Sequence, residues 1–438
     1  MGSRAATHTL QATLAGALLA GALGCPGPEP HAVGAGGTGG TGGGATGGGA
    51  GAPPACFQSY HVGPECYVDV AIGTATGLGM PVVVVRPDNH PDLAVPEVTA
   101  GTRKVHDYRL TWTDGTTVST TDPFVVASSD VAKVLAGDFD ALAGTDLAIV
   151  GTNGVISFAQ GTTAGLGAPV ETAQSFPGMV DTFVGHWDGD GRPDLGVLLC
   201  PTETTCNVTF LRSVPAPTYF TAVSPSAPAA ERATGATLAG FDGADSYSDL
   251  VTTGAGAGGG PSGQDYLLFD YSSGGGQFDP SPTSQQLPAG VRATAVLVNE
   301  LDGGLPDFVV TGDGPNGSIL YLQGVDRAQG TALPAGEIAV GGKTYTPTIV
   351  DLDGDGYRDL VASVEWANGT HGVLFARGNP SLGPPFEAPV DLLAGSVLAY
   401  ELDDGIAVAY LNGDSYPDII LNHPGPGAHV LVAKPWVP

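Results

Sequence analysis

Asp351, Asp353, Asp355 and Asp359 stand close together in DLDGDGYRD, with glycines at 354 and 356. Alternate carboxylates of a tight turn converge on one point, and glycine allows the backbone angles that such a turn needs. The chemistry this spacing suits is binding of a hard cation. Calcium takes about six to eight oxygens at roughly 2.3–2.6 Å and accepts irregular geometry. In that reading Asp351, Asp353 and Asp355 supply side-chain oxygens, Tyr357 its backbone carbonyl and Asp359 the closing carboxylate. Without a cation, two acids about 4 Å apart repel by roughly 1 kcal/mol in water and about 4 kcal/mol near a protein surface. A merely solvated acidic turn predicts neither this spacing nor its recurrence.

The flanks decide what must hold the loop. A calcium loop between two helices needs a Glu at its twelfth position, and Ala362 stands there. TYTPTIV precedes the loop and LVASV follows it. Both are short and rich in β-branched residues, which predicts a strand–loop–strand corner.

The motif then recurs. DFDALAGTDLAIVG begins at Asp138, HWDGDGRPDLGVLL at His186 and YLNGDSYPDIILN at Tyr410, with looser copies at Gly240, Glu300 and Arg86. The closing acids are Asp92, Asp146, Asp194, Asp249, Asp307, Asp359 and Asp418, spaced 48 to 59 residues apart. About fifty residues in four strands make one propeller blade. On these motifs the region of residues 56–438 resembles the FG-GAP/VCBS repeat family, the calcium-loop β-propellers related to the integrin α-subunit head. The resemblance implies an all-β fold of seven four-stranded blades. The last copy is too short for a blade of its own, so an N-terminal strand is expected to complete it. The alternative is six blades with a small N-terminal β segment, because the copy at Asp92 is the most worn.

Ligand sets differ between copies. The Asp351 loop is complete. The next has Asp188, Asp190 and Asp194 with the carbonyl of Arg192, but His186 at its first position, and imidazole suits calcium poorly. The last has Asn412, Asp414 and Asp418 with the carbonyl of Tyr416, and Tyr410 first. The Asp138 loop has Leu142 in place of its middle acid. That copy, with those at Gly240 and Glu300, is expected to be a turn whose acid caps backbone amides.

The N-terminus reads as export machinery. MGSR, then the apolar LQATLAGALLAGALG, leads into Cys25. This resembles a bacterial lipoprotein signal, with residues 1–24 removed and Cys25 lipidated. An ordinary signal peptide cleaved nearby is the alternative. Residues 25–55 are the lipidated Cys and a Gly-rich stretch without aromatics, expected to be a disordered tether reaching on the order of 30 Å. Pro26, where an Asp would favour inner-membrane retention, suggests the outer membrane or surface of a Gram-negative-type cell. Close spacing pairs Cys56 with Cys66 and Cys200 with Cys206, although four cysteines allow three connectivities. Disulfides fit an oxidising compartment.

With 15 basic and 44 acidic side chains, the net charge of -29 opposes nucleic-acid binding and charge-driven lipid binding. No dinucleotide, phosphate-loop or hydrolase motif appears in its required context. Two function classes remain. One is a surface binding, adhesion or scaffold module with calcium as a staple and a protein or glycan ligand on a propeller face. The other is an extracellular polysaccharide-processing enzyme, for which the sequence names no catalytic cluster. The first is preferred.

Overall fold

Short apolar runs separated by Gly- and Asp-rich corners fold as antiparallel strands. A computed structural model describes residues 56–57, 62–113, 117–202, 205–223, 227–240, 248–255, 264–274, 277–279, 281–288, 291–301, 305–312, 318–326, 331–393, 406–421 and 427–434. The signal and tether assigned to residues 1–55, with Cys25, lie outside them. The strands form seven blades, each an antiparallel sheet with four strands in its main path. Blade 6 shows the plan with Gly342–Val350, Asp359–Trp366, His371–Ala376 and Val390–Asp391 in spatial order. Blade 1 spans residues 82–126, and blades 2 to 5 span 131–175, 179–229, 233–286 and 293–339. First strands of successive blades neighbour one another from blade 1 to blade 7, and blades 7 and 1 share an apolar cluster.

Blade 7 combines the two ends of the chain. Ile406–Ala409, Asp418–Leu421 and Ala428–Ala433 are joined at the outer edge by Tyr67–Ile72. That strand pairs with Ala428–Ala433 from Tyr67 opposite Ala433 to Ile72 opposite Ala428. His429 Nδ1 and Asp69 Oδ1 lie 2.8 Å apart across the pair, and the Lys434 amide donates to the Cys66 carbonyl at 2.9 Å. The ring therefore closes through an N-terminal strand, as expected. The worn copy at Asp92 forms a full blade, so the six-blade alternative does not hold.

Each acidic loop joins a first strand to a second strand. The second strands are buried on both faces, as in Asp146–Gly151 and Asp307–Gly312. A central strand packed on both sides reads as a continuous apolar run, which is why LVASV follows the loop so directly. Alternate residues enter opposite seams: Leu360 joins the cluster shared with blade 5, and Val361 the one shared with blade 7. Every seam has its own apolar cluster. Both expected disulfides are present, Cys56–Cys66 and Cys200–Cys206, the second across the ends of a hairpin.

One seam position breaks the pattern. Tyr108, Ala159, Leu211, Leu322, Ala376 and Leu431 hold equivalent third-strand positions in six blades. Blade 4 has Asp270 there, opposite Leu250. Asp270 is fully buried and neither carboxyl oxygen has a hydrogen-bond partner among the described residues. Burial alone pushes its carboxyl up to about 7. An unpartnered buried polar group costs about 1–3 kcal/mol. Asp270→Leu, the residue of blades 3, 5 and 7, is accordingly expected to raise stability by about 1–2 kcal/mol after some overpacking. A denaturant midpoint equal to or below that of the unsubstituted protein would count against this.

Candidate metal centre

The closing aspartates are the most regular feature of the seven corners. Asp92, Asp146, Asp194, Asp249, Asp307, Asp359 and Asp418 are all at most 1% exposed. In each, Oδ1 accepts a backbone N–H from the end of the third strand. The donors are Leu110 at 2.9 Å, Gly161 at 2.8 Å, Ser213 at 2.8 Å, Ser272 at 2.7 Å, Gly324 at 3.0 Å, Gly378 at 2.7 Å and Ala433 at 2.9 Å. Among the described residues, Oδ2 accepts the amide of the loop's second residue in four blades: Phe139 at 3.0 Å, Leu301 at 3.0 Å, Leu352 at 2.7 Å and Leu411 at 2.9 Å. The side chain thus ties loop to third strand, which explains why the closing acid persists where other loop acids are lost. The capping of backbone amides expected for the Asp138, Gly240 and Glu300 copies is therefore a role of the closing acid in every blade, and its recurrence in all seven copies was the available signal.

The remaining loop acids are arranged by local hydrogen bonds. Asp353 Oδ1 accepts from the Asp355 amide at 3.0 Å, and Asp355 Oδ1 from the Tyr357 amide at 2.7 Å. Asp351 accepts from the amides of Gly354 at 2.8 Å and Gly356 at 3.0 Å. Both glycines have positive φ, 79° and 89°, the conformation for which glycine carries no steric penalty. The turn gathers carboxylate oxygens of Asp351, Asp353 and Asp359 within 4.8 Å of one another. Asp355 accepts from Arg377, just after the third strand, and the same guanidinium also lies beside Asp353. Tyr357 is half exposed.

The other loops differ. Asp138, Asp140 and Asp146 also gather within 4.8 Å, in a loop expected to be only a turn. Asp188, Asp190 and Asp194 form no such group, and the Arg192 side chain is held on Asp190 at 2.7 Å. In the last loop Asn412 donates to Asp414 Oδ2 at 2.8 Å, while Tyr416 stacks on Phe57 with ring centroids 4.4 Å apart. The loop residues 241–247 and 302–304 of blades 4 and 5 lie outside the described residues.

Burial sets the electrostatics. It pushes Asp353 up to about 6, with Asp355 adding to the rise. It pushes Asp359 up to about 7 against the amide donors Gly378 and Leu352, with Asp353 and Asp355 also raising it. Asp146, Asp194 and Asp418 are likewise pushed up to about 7 by burial. The buried Tyr67 phenol is raised well above its usual value by burial first, then by Asp418, Asp359 and Asp353. These folded-state values lie above the ordinary carboxylate value near 3.8. Between about pH 4 and about pH 7 the folded chain therefore binds more protons than the unfolded one, so stability falls as pH rises through that window. Without metal, the melting midpoint is expected to be higher near about pH 5.5 than near about pH 8, and any gain from calcium greater near about pH 8. A flat or rising metal-free profile would contradict it.

No family model matches the chain, and no curated protein matches it. Among solved structures, the chain is similar to the one titled "Crystal structure of BBS1N in complex with ARL6DN, soaked with lead". The two share 11% identity at a TM-score of 0.49, over 85% of this chain and 98% of that one. The blade count rests on the sheet topology of this chain.

Proposed function

We propose that the protein is an exported, lipid-anchored FG-GAP/VCBS-type propeller that holds calcium at its blade 6 loop and binds a protein or glycan on a propeller face. The observation that carries the calcium reading is the gathering of Asp351, Asp353 and Asp359, two of them buried, around one point. Three carboxylates, with the Tyr357 carbonyl that the loop spacing assigns to the set, are all-oxygen donors, which suit calcium and not a soft metal. Bound there, the ion would neutralise repulsion between buried acids and brace the corner between two strands of blade 6. In this reading calcium is structural, and recognition belongs to the loops and edges that the ring displays.

Binding is tested by applying the labelled full chain to glycan arrays and immobilised surface proteins, in calcium and in chelator. Retention on a defined glycan or protein supports the reading. Release of reducing ends from a polysaccharide, without stable retention, would favour the enzyme.

Anchoring has a separate test. Among the described residues no helix is long and apolar enough to cross a membrane. Attachment is assigned in this reading to acyl chains on Cys25. Each buried CH₂ contributes about 0.8 kcal/mol. Cys25→Ser is expected to move the folded protein from the membrane fraction to the soluble one. A variant that stays with the membrane would remove the lipoprotein reading.

A further inference from the structure

We infer that Arg212 and Arg377, on the third strands of blades 3 and 6, are built-in counter-charges of their loops, and that Arg377 competes with the cation for the blade 6 loop. The inference rests on the calcium reading above. Once Asp353 and Asp355 have each committed Oδ1 to a loop amide, one oxygen remains on each side chain. Arg377 holds both. Its Nε lies 2.8 Å from Asp353 Oδ2 and its Nη2 2.6 Å from Asp355 Oδ2.

The same construction appears in other blades. In blade 3, Asp188 Oδ1 accepts the Asp190 amide at 3.0 Å and Asp188 Oδ2 lies 2.5 Å from Arg212 Nε. In blade 2, Asp140 Oδ1 accepts the Leu142 amide at 2.8 Å and Oδ2 accepts Gln160 Nε2 at 2.9 Å. Gln160, Arg212 and Arg377 each follow the third-strand residue paired to the neighbour of the closing aspartate. Blade 7 has Val432 at that position, and there the loop's third residue is the neutral Asn412. In blade 4 the loop's third residue is Asp242 but Tyr271 stands at that third-strand position, so the arrangement is particular to certain blades, blades 2, 3 and 6 among those described.

The balance differs between blades. In blade 3 a second guanidinium, Arg192, takes the free oxygen of Asp190, so the remaining oxygens of both acids are occupied. In blade 6 the loop carries four acids against two guanidinium groups, Arg358 within the loop and Arg377 on Asp353 and Asp355, which leaves net negative charge to attract a cation. The acids are sheltered, with Asp353 side-chain exposure at 0%, whereas Arg377 is 29% exposed and can swing into water on its flexible stem. Calcium then enters as Arg377 leaves. Without the metal the arginine holds the loop closed.

Calorimetric titration of the chelator-stripped full chain with calcium tests this. Arg377→Gln is expected to bind calcium about tenfold more tightly than the unsubstituted protein, about 1.4 kcal/mol, and to melt at a lower temperature in chelator. An arginine that only supports the fold would lower the midpoint and leave Kd unchanged or weaker, and that result would overturn the inference. Equal Kd in both proteins would leave the calcium reading standing and remove the competition. Absence of binding in both would remove the calcium reading, and the competition with it. If Arg377→Gln does not fold, Arg212→Gln gives the second test. It is expected to add a calcium at blade 3 to the stoichiometry, and an unchanged stoichiometry would refute the counter-charge role.

Discussion

Asp307→Ala is expected to cost the fold about 3–5 kcal/mol, and to cost the same in calcium as in chelator. Asp307 is fully buried and accepts the Gly324 and Leu301 amides, each at 3.0 Å. Hydrogen bonds to a charged acceptor contribute about 1.5–3 kcal/mol each, and removing the acceptor leaves their donors buried without it. The loop of this copy has one acid fewer than its complete counterpart and is one residue shorter, so the loss is assigned to the tie between loop and third strand. Chemical denaturation in both buffers measures it. A cost below about 1 kcal/mol, or one that calcium abolishes, would show that the closing aspartate acts through a metal instead.

A larger effect is expected from removing the closing strand. A chain beginning at Gly73 loses Phe57, Tyr67 and Ile72 from two seams, with the Cys56–Cys66 disulfide. It also uncovers the edge of Ala428–Ala433, an apolar strand buried along its whole length. Burial of one large apolar side chain is worth about 1.5–3 kcal/mol, and an exposed flat apolar edge invites pairing with another chain. The truncated protein is expected to lose its cooperative melting transition and to associate, read by circular dichroism and light scattering. A monomer with an unchanged midpoint would mean that the ring does not depend on this strand.

Much of the fold was legible because each corner repeats one chemical demand. The closing aspartate must be present wherever a first strand turns into a second, so its spacing counted the blades even where Asp249 and Asp307 had lost neighbouring acids. The apolar run after it follows from burial on both faces. The closing strand was legible as a shortage, since residues after Asp418 could not supply four strands. What stayed hidden depends on cross-strand register. Arg377 lies 18 residues from Asp359 in sequence, and only the pairing of Leu360 with Ala376 brings it to the loop. A basic residue directly after the third apolar run, as in VLFAR and TFLR, was the available signal. Asp270 was hidden for a similar reason: LLFD reads as a strand end, and its burial comes from the neighbouring blade.

The most direct test of the central claim, that calcium braces the blade 6 corner, is thermal melting of the full chain near about pH 8, in millimolar calcium and in chelator. A ligand that binds only the folded state adds about 2.7 kcal/mol at roughly a hundredfold excess over Kd. The midpoint is expected to lie several degrees higher in calcium for the unsubstituted protein, and to show no calcium response in Asp353→Ala. Equal midpoints for the unsubstituted protein in the two buffers would contradict the claim.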